Sequence, residues 1–277
     1  MSKLCNIFNI VKASISIAIL FIVIPNTYAN NKDIDTLGVL YSCDMEIRKA
    51  EVCAVISDET HISVPQFVFD EKGDSFEVKA INSHAFRYND KIMMVVLPNS
   101  ITSIGTSMFT NCNNLISVTL LDSISHISMI AFRGCSSLKQ LNVKSVAHIG
   151  KWAFGNCKSL QSLSFLNSVK TIGECAFNGC ENIESVEMPD CLSEIGIGAF
   201  ENCTKLKFVK FSKSIHVLRQ NTFRYCVGLV EIVLPENVKE IKPWAFDGCT
   251  NLKKVKVSKD CVIANHAFPE NTIIEYY

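Results

Sequence analysis

The chain has 277 residues, 48% of them hydrophobic, with 27 basic and 27 acidic side chains and 13 cysteines. This balance excludes the strongly basic surface that nucleic acid or an acidic membrane would need.

In chain order, residues 1–12 carry Lys3 and Lys12 and no acid, and Ala13 to Ile24 form an almost unbroken apolar run. Pro25 ends the run, and Thr27-Tyr28-Ala29 places small residues where a signal peptidase reads. The pattern predicts a secretory signal over residues 1–29 and a mature chain beginning at Asn30. The run is too short to span a bilayer, which takes about 20 residues; an uncleaved anchor is the alternative. Cys5 precedes the run, so no lipoprotein cysteine follows it. Loss of Lys3 and Lys12 leaves 25 basic against 27 acidic residues, a net charge of −2. The final "NTIIEYY" has neither a hydrophobic tail nor a basic stop-transfer cluster. The expected location is therefore secreted or cell surface, with no stable membrane span after cleavage.

Residues 30–75 read as two hairpins, "GVLYSCDMEIRKAEVCAVI" and "HISVPQFVFDEKGDSFEVKAI", the second turning at Lys72-Gly73-Asp74. A β cap over an otherwise open first coil is the favoured reading. A separate ligand-binding domain is the alternative, disfavoured because about 45 residues rarely make a stable core alone.

From residue 76 the chain repeats itself. Phenylalanines stand at 86, 109, 132, 154, 177, 200, 223, 246 and 268, every 22 or 23 residues. Three residues after each internal one comes a cysteine: 112, 135, 157, 180, 203, 226 and 249. Leu or Ile follows at six and large apolar residues at nine and eleven, while an aliphatic (Ile104 through Ile263) stands five residues before each next Phe. A period in this range signals a leucine-rich-repeat-type solenoid. The expected fold is a β-rich, right-handed stack of about nine coils over residues 76–268, with little regular helix and a tail at 269–277. "LxxVxLP" reads as a short strand with one face inward, ended by Pro98, Pro189 and Pro235. Gly105, Gly150, Gly173 and Gly196 are expected at a tight bend. Parallel strands about 4.8 Å apart give a stack on the order of 40 Å long.

The segments "LPNSITSIGTSMFTNCNNLISVTL" (97–120), "MPDCLSEIGIGAFENCTKLKFVKF" (188–211) and "LPENVKEIKPWAFDGCTNLKKVKV" (234–257) resemble the BspA-type leucine-rich repeat proteins. The resemblance implies a bacterial or protist surface or secreted protein, several relatives being thought to act as adhesins. The chain lacks the wall-sorting or anchoring tail that surface display would use.

Thirteen cysteines in an exported chain usually mean a disulfide framework. Seven at one register instead suggest a buried ladder of thiols, whose parallel Cβ vectors leave S–S geometry strained. Cys43 and Cys53, opposite each other in a hairpin centred near Arg48, are the one disulfide candidate. No metalloprotease, nucleophile-elbow or phosphate-loop spacing occurs. His126 and His148 share a register, but the next rungs are Thr171 and Glu194 and no third ligand is evident. No catalytic residue, cofactor or metal is expected, and the chain reads as a non-enzyme.

Residues 174–201 hold seven acids and no base; residues 202–230 hold six bases and no acid. Register accounts for this by pairing Glu184 with Lys207, Glu187 with Lys210 and Asp190 with Lys213 across coils. A ligand patch is the alternative. Two functions remain: a scaffold that binds a protein or glycan partner, and a self-associating extracellular component. A lattice would repeat the same outward residue, whereas the strand sites eight and ten residues after each Phe vary. Variation favours recognition, with Gln140, Asn142, Phe208, Lys210, Lys254 and Lys256 on the candidate face. Phe208 alternatively packs beside Val233. Trp152 and Trp244, two residues before their Phe, form a second candidate edge.

Overall fold

The structure is a computed structural model that describes residues 31–120 and 124–277. The expected signal lies outside the described residues.

Six strands open the chain: β1 (Asn31–Thr36), β2 (Val39–Asp44), β3 (Lys49–Val55), β4 (His61–Ser63), β5 (Phe67–Phe69) and β6 (Ser75–Ile81). Five of them form one sheet in the order β1-β2-β3-β6-β5. At the β2–β3 turn, Asp44 Oδ1 accepts the backbone N–H of Glu46 and of Ile47 at 2.9 and 3.1 Å. This side-chain turn starts the reversal early, so Asp44 pairs with Lys49 and Cys43 with Ala50. The expected Cys43–Cys53 bridge therefore does not form: Cys53 lies three residues past Ala50 and on the opposite side of its strand. The second hairpin follows expectation. Asp70 Oδ1 accepts Lys72 N–H and Asp74 N–H, both at 2.9 Å, and β5 runs antiparallel to β6.

Beyond β6 most coils contribute two short strands. They are β7 (Met94–Leu97) with β8 (Ser103–Ile104), β9 (Ser117–Leu120) with β10 (Ile124–Ile127), and β11 (Gln140–Asn142) with β12 (Val146–Ile149). The next coil has only β13 (Thr171–Ile172), because a 3₁₀ turn at Ser164–Ser168 replaces its first strand. That turn buries Phe165, which packs against Phe154 at 5.4 Å. Then come β14 (Ser185–Glu187) and β15 (Glu194–Ile195), β16 (Phe208–Lys210) and β17 (Val217–Leu218), β18 (Glu231–Val233) and β19 (Glu240–Ile241). The chain closes with β20 (Lys254–Val257), β21 (Val262–Ile263) and β22 (Ile273–Tyr276). First strands stack in parallel as β4-β7-β9-β11, β14-β16 and β18-β20-β22; second strands stack as β8-β10-β12-β13-β15 and β17-β19-β21. The cap thus supplies the first rung through β4, and the expected tail supplies the last through β22.

The core explains the repeat. Neighbouring phenylalanines from Phe86 to Phe268 stack with centroids 4.8–5.5 Å apart, so nine rings bound eight turns. Each stacked pair adds about 0.5–1.5 kcal/mol beyond its area burial. The cysteine register has a polar reason as well. Each thiol donates to the carbonyl of the Phe one coil earlier at 2.9–3.4 Å. Phe132 O shows the pattern, accepting Cys135 N–H at 3.0 Å in its own turn and the Cys157 thiol at 3.0 Å from the next coil. A buried carbonyl has two lone pairs, and the thiol fills the second one from a small apolar side chain.

The expected glycines do open a tight turn, Gly150 O accepting Ala153 N–H at 3.2 Å and Gly196 O accepting Ala199 N–H at 3.3 Å, but the bend is not what selects glycine. Gly150 and Gly196 do not need a left-handed bend. They need closeness: a Cβ at Gly196 would lie 2.4 Å from Glu174 N, and one at Gly150 would lie 2.7 Å from Met129 N. Left-handed backbone instead falls two residues before and two residues after the Phe, as at Asn221 and Tyr225 around Phe223.

Candidate partner-binding surfaces

Alternation along each first strand buries the middle residue and turns its neighbours outward, as in the exposed-buried-exposed patterns of β11, β16 and β18. Gln140 and Asn142 project from β11, Phe208 and Lys210 from β16, and Lys254 and Lys256 from β20. All six share the outward register, but they sit on three separate sheet segments. Phe208 is 53% exposed and Val233 52%, so Phe208 stands outward instead of burying itself beside Val233.

Four of these residues are tied to neighbours. Lys210 lies 3.8 Å from Glu187, Lys254 2.9 Å from Glu275, and Asn142 Nδ2 donates to Thr119 Oγ1 at 3.2 Å. Lys256 lies over the Tyr277 ring at 4.8 Å. Cross-coil charge pairing extends to Lys151–Glu174, Lys158–Glu181 and Lys207–Glu184, at 2.8–2.9 Å. The Lys207 ammonium, hydrogen-bonded to Glu184, lowers that carboxyl's pKa. Such exposed pairs each contribute about 0–1 kcal/mol. Asp190 and Lys213 do not join them; Ser214 Oγ instead donates to the Asp190 carbonyl at 2.6 Å.

The turn edge carries the second candidate. Trp152 and Trp244 both adopt left-handed backbone, with φ of 55° and 60°. Arg133 lies over the Trp152 ring at 5.4 Å. Sequence reasoning missed the residues that complete this edge: Tyr88 and Tyr225, each beneath its own arginine at 4.6 Å. The signal was present as a repeated Phe-Arg-Tyr, at 86–88 and 223–225. It also missed Met94 and Val96, exposed on β7, and Phe67 and Phe69, exposed on β5.

His126 and His148 stack at 4.9 Å, and His148 Nδ1 shares a hydrogen bond of 2.8 Å with Thr171 Oγ1. Among the described residues no three His, Cys, Asp or Glu side chains gather as a metal-binding group. Burial pushes the Cys135, Cys180 and Cys226 thiols well up and that of Cys249 up to about 12, so these four thiols stay protonated and poorly nucleophilic.

No helix among the described residues is long and apolar enough to cross a membrane. Among solved structures, a leucine-rich repeat protein of T. pallidum is similar at 24% identity and a TM-score of 0.54, over 80% of this chain and 91% of that one. A leucine-rich cell surface protein of Faecalibacterium prausnitzii shares 21% identity over 88% of this chain and 94% of its own, with a TM-score of 0.41. A leucine-rich repeat protein of Bacteroides ovatus shares 19% over 89% and 100%, with a TM-score of 0.47. The first of these likenesses shows the fold. No curated protein matches the chain. A family model, the BspA type leucine-rich repeat region, matches in six copies over residues 74–181 and 147–275. With that match spanning well over half its length, the chain belongs to the BspA-type leucine-rich repeat family.

Proposed function

We propose that the chain is an exported, non-catalytic recognition scaffold, secreted or held at the cell surface, that binds a protein or glycan partner and serves adhesion or host interaction. The observation that carries this reading is the contrast between an invariant core register and a varied outward one. Phe, Cys and aliphatic positions recur coil after coil, while the outward strand sites run from Gln140 and Asn142 to Phe208 and Lys210. Solenoids offer such surfaces because outward side chains change without disturbing the stack. Phe208 supplies the exposed aromatic that interfaces favour as an anchor. Self-association is the second reading, favoured by the outer edges of β21 and β22, which pair with no other described strand.

The test is binding of the exported protein to extracellular and host-matrix preparations. Phe208→Ser with Lys210→Glu weakens capture by more than about 2 kcal/mol, and Trp152→Ser leaves it intact. Loss in Trp152→Ser with the strand pair silent moves the site to the other face. Folded variants that all bind like wild type remove this reading. Export itself is checked by intact mass: the secreted species begins at Asn30, and one retaining residues 1–29 contradicts the expected cleavage.

A further inference from the structure

The turn edge around Trp244 has a chemistry of its own. The chain contains two tryptophans, and both stand two residues before a stacked Phe in left-handed backbone. That backbone favours glycine or asparagine, as Gly198 and Asn221 illustrate at the same register. A tryptophan there is strained, and Trp244 stays 40% exposed. Trp152 differs in having Arg133 across its ring. Among the described residues no cation or aromatic ring pairs with Trp244, which keeps part of its surface exposed.

Polar groups stand in the same coil as Trp244 and in the coils on either side of it. Arg224 Nε donates to Asp247 Oδ2 at 2.9 Å, and both side chains remain about one-third exposed, at 30% and 35%. Asp247 N–H donates to the Trp244 carbonyl at 3.2 Å, closing one short turn between the two residues. Tyr225 lies against Gly248, where a Cβ would meet its Cδ1 at 2.2 Å, and its N–H donates to the Asp247 carbonyl at 2.9 Å. One coil earlier, the buried Asn221 Oδ1 has no hydrogen-bond partner among the described residues. One coil later stands His266, also left-handed and exposed.

We infer that this edge binds a neutral glycan chain, with one pyranose ring lying on Trp244 and its hydroxyls meeting Asp247, Arg224 and His266. The apolar C–H face of a sugar matches a partly exposed aromatic ring, and paired hydroxyls match a fixed carboxylate–guanidinium couple. The neighbours here are Asn221, Arg224, Asp247 and His266, whose donors and acceptors suit sugar hydroxyls. The site is a flat edge, which suits internal units of a polysaccharide. The inference is independent of the strand face and survives or fails separately from it.

The backbone strain makes the test clean. Trp244→Asn removes the ring while supplying a residue that tolerates left-handed backbone, so its melting temperature equals or exceeds that of wild type. Calorimetric titration of the exported protein uses hexasaccharides of β-1,4-glucose, α-1,4-glucose, β-1,4-mannose and β-1,4-N-acetylglucosamine. Saturable binding to at least one is expected, weakened at least about tenfold in Trp244→Asn and in Asp247→Ala and unchanged in Lys207→Ala. No saturable binding to any of the four overturns the inference, as does binding that survives Trp244→Asn. Loss in the Phe208 and Lys210 variant would assign the sugar to the strand face instead. A melting temperature several degrees lower in Trp244→Asn would show that the indole serves packing, and that too overturns it.

Discussion

Phe86 and Phe268 hold the same register at opposite ends of one stack, in very different surroundings. Phe86 stacks on Phe109 at 4.8 Å and is fully buried, in a core that also takes in Tyr41, Val52, Phe76 and Val78 from the cap. Phe268 stacks on Phe246 at 5.1 Å but is only partly buried, and beside it Val262 is 64% exposed and Ile273 63%. A solenoid coil cannot cover its own open side. A five-stranded sheet stands at one end, and at the other, among the described residues, the single strand β22 adds the last rung. Sequence identity at a register therefore does not set a residue's energetic weight; the number of coils covering it does.

The largest expected effect breaks that comparison directly. Phe177 is fully buried between Phe154 and Phe200, each at 5.2 Å. Phe177→Ala costs about 3–5 kcal/mol, Phe86→Ala falls in the same range, and Phe268→Ala costs less than about half as much. Denaturant midpoints measure all three, and equal values for wild type and Phe177→Ala would contradict a shared core.

The glycine ladder gives a smaller version of the same contrast. Gly196→Ala drives a Cβ into the backbone of the preceding coil at 2.4 Å, and costs about 1–3 kcal/mol. Gly105, at the cap end, meets only the flexible Met108 Cε at 3.3 Å, so Gly105→Ala costs less. A reversed order would mean that backbone bend, and not coil-to-coil approach, selects glycine.

Alkaline pH probes the thiols. Burial raises Cys249 from 9.0 to about 12, and Cys135, Cys180 and Cys226 shift the same way. The folded pKa lies above the unfolded one, so the contribution is complete below pH 9 and is lost as pH rises toward the folded value. Stability falls above pH 9 by about 1.4 kcal/mol per pH unit for each of these four thiols. A profile flat from pH 8 to 11 would refute a protonated ladder. Thiol labelling at neutral pH is expected to reach the exposed Cys191 and to miss the ladder until denaturant is added.

The smallest effect belongs to the surface. Lys207→Ala removes a pair with Glu184 that is about two-thirds exposed on both sides, and shifts stability by no more than about 1 kcal/mol.

Most of the fold was legible because each coil repeats the same burial problem. Phe, Cys and Ile at fixed spacings announce the stack, and the thiols' inward direction follows from their register. What escaped depends on which atoms approach across coils. The glycines read rightly as turn residues, but the close approach of Gly196 to Glu174 N is visible only across coils. The real left-handed positions were written in sequence as Asn or Gly one residue before Cys, at Asn111, Gly134, Asn156, Gly179 and Asn202, and went unread. The Cys43–Cys53 expectation failed because Asp44 starts the turn and shifts the register that pairing needed. On the surface, Phe208 and Trp244 were legible as outliers from a polar register, while the Arg224–Asp247 pair beside Trp244 emerges only when adjacent coils are stacked.

The account's central claim is one continuous stack, closed by the cap and, among the described residues, open at the far end, and hydrogen exchange at the stacked phenylalanines tests it most directly. Each Phe amide donates to the coil that follows, from Phe109 to the Ala131 carbonyl at 2.8 Å through Phe246 to the Ala267 carbonyl at 2.8 Å. The amides of Phe109 through Phe200 should exchange only by global unfolding, with protection falling at Phe223 and again at Phe246. Equal protection along the whole stack, or a gradient that falls toward the cap, would contradict it.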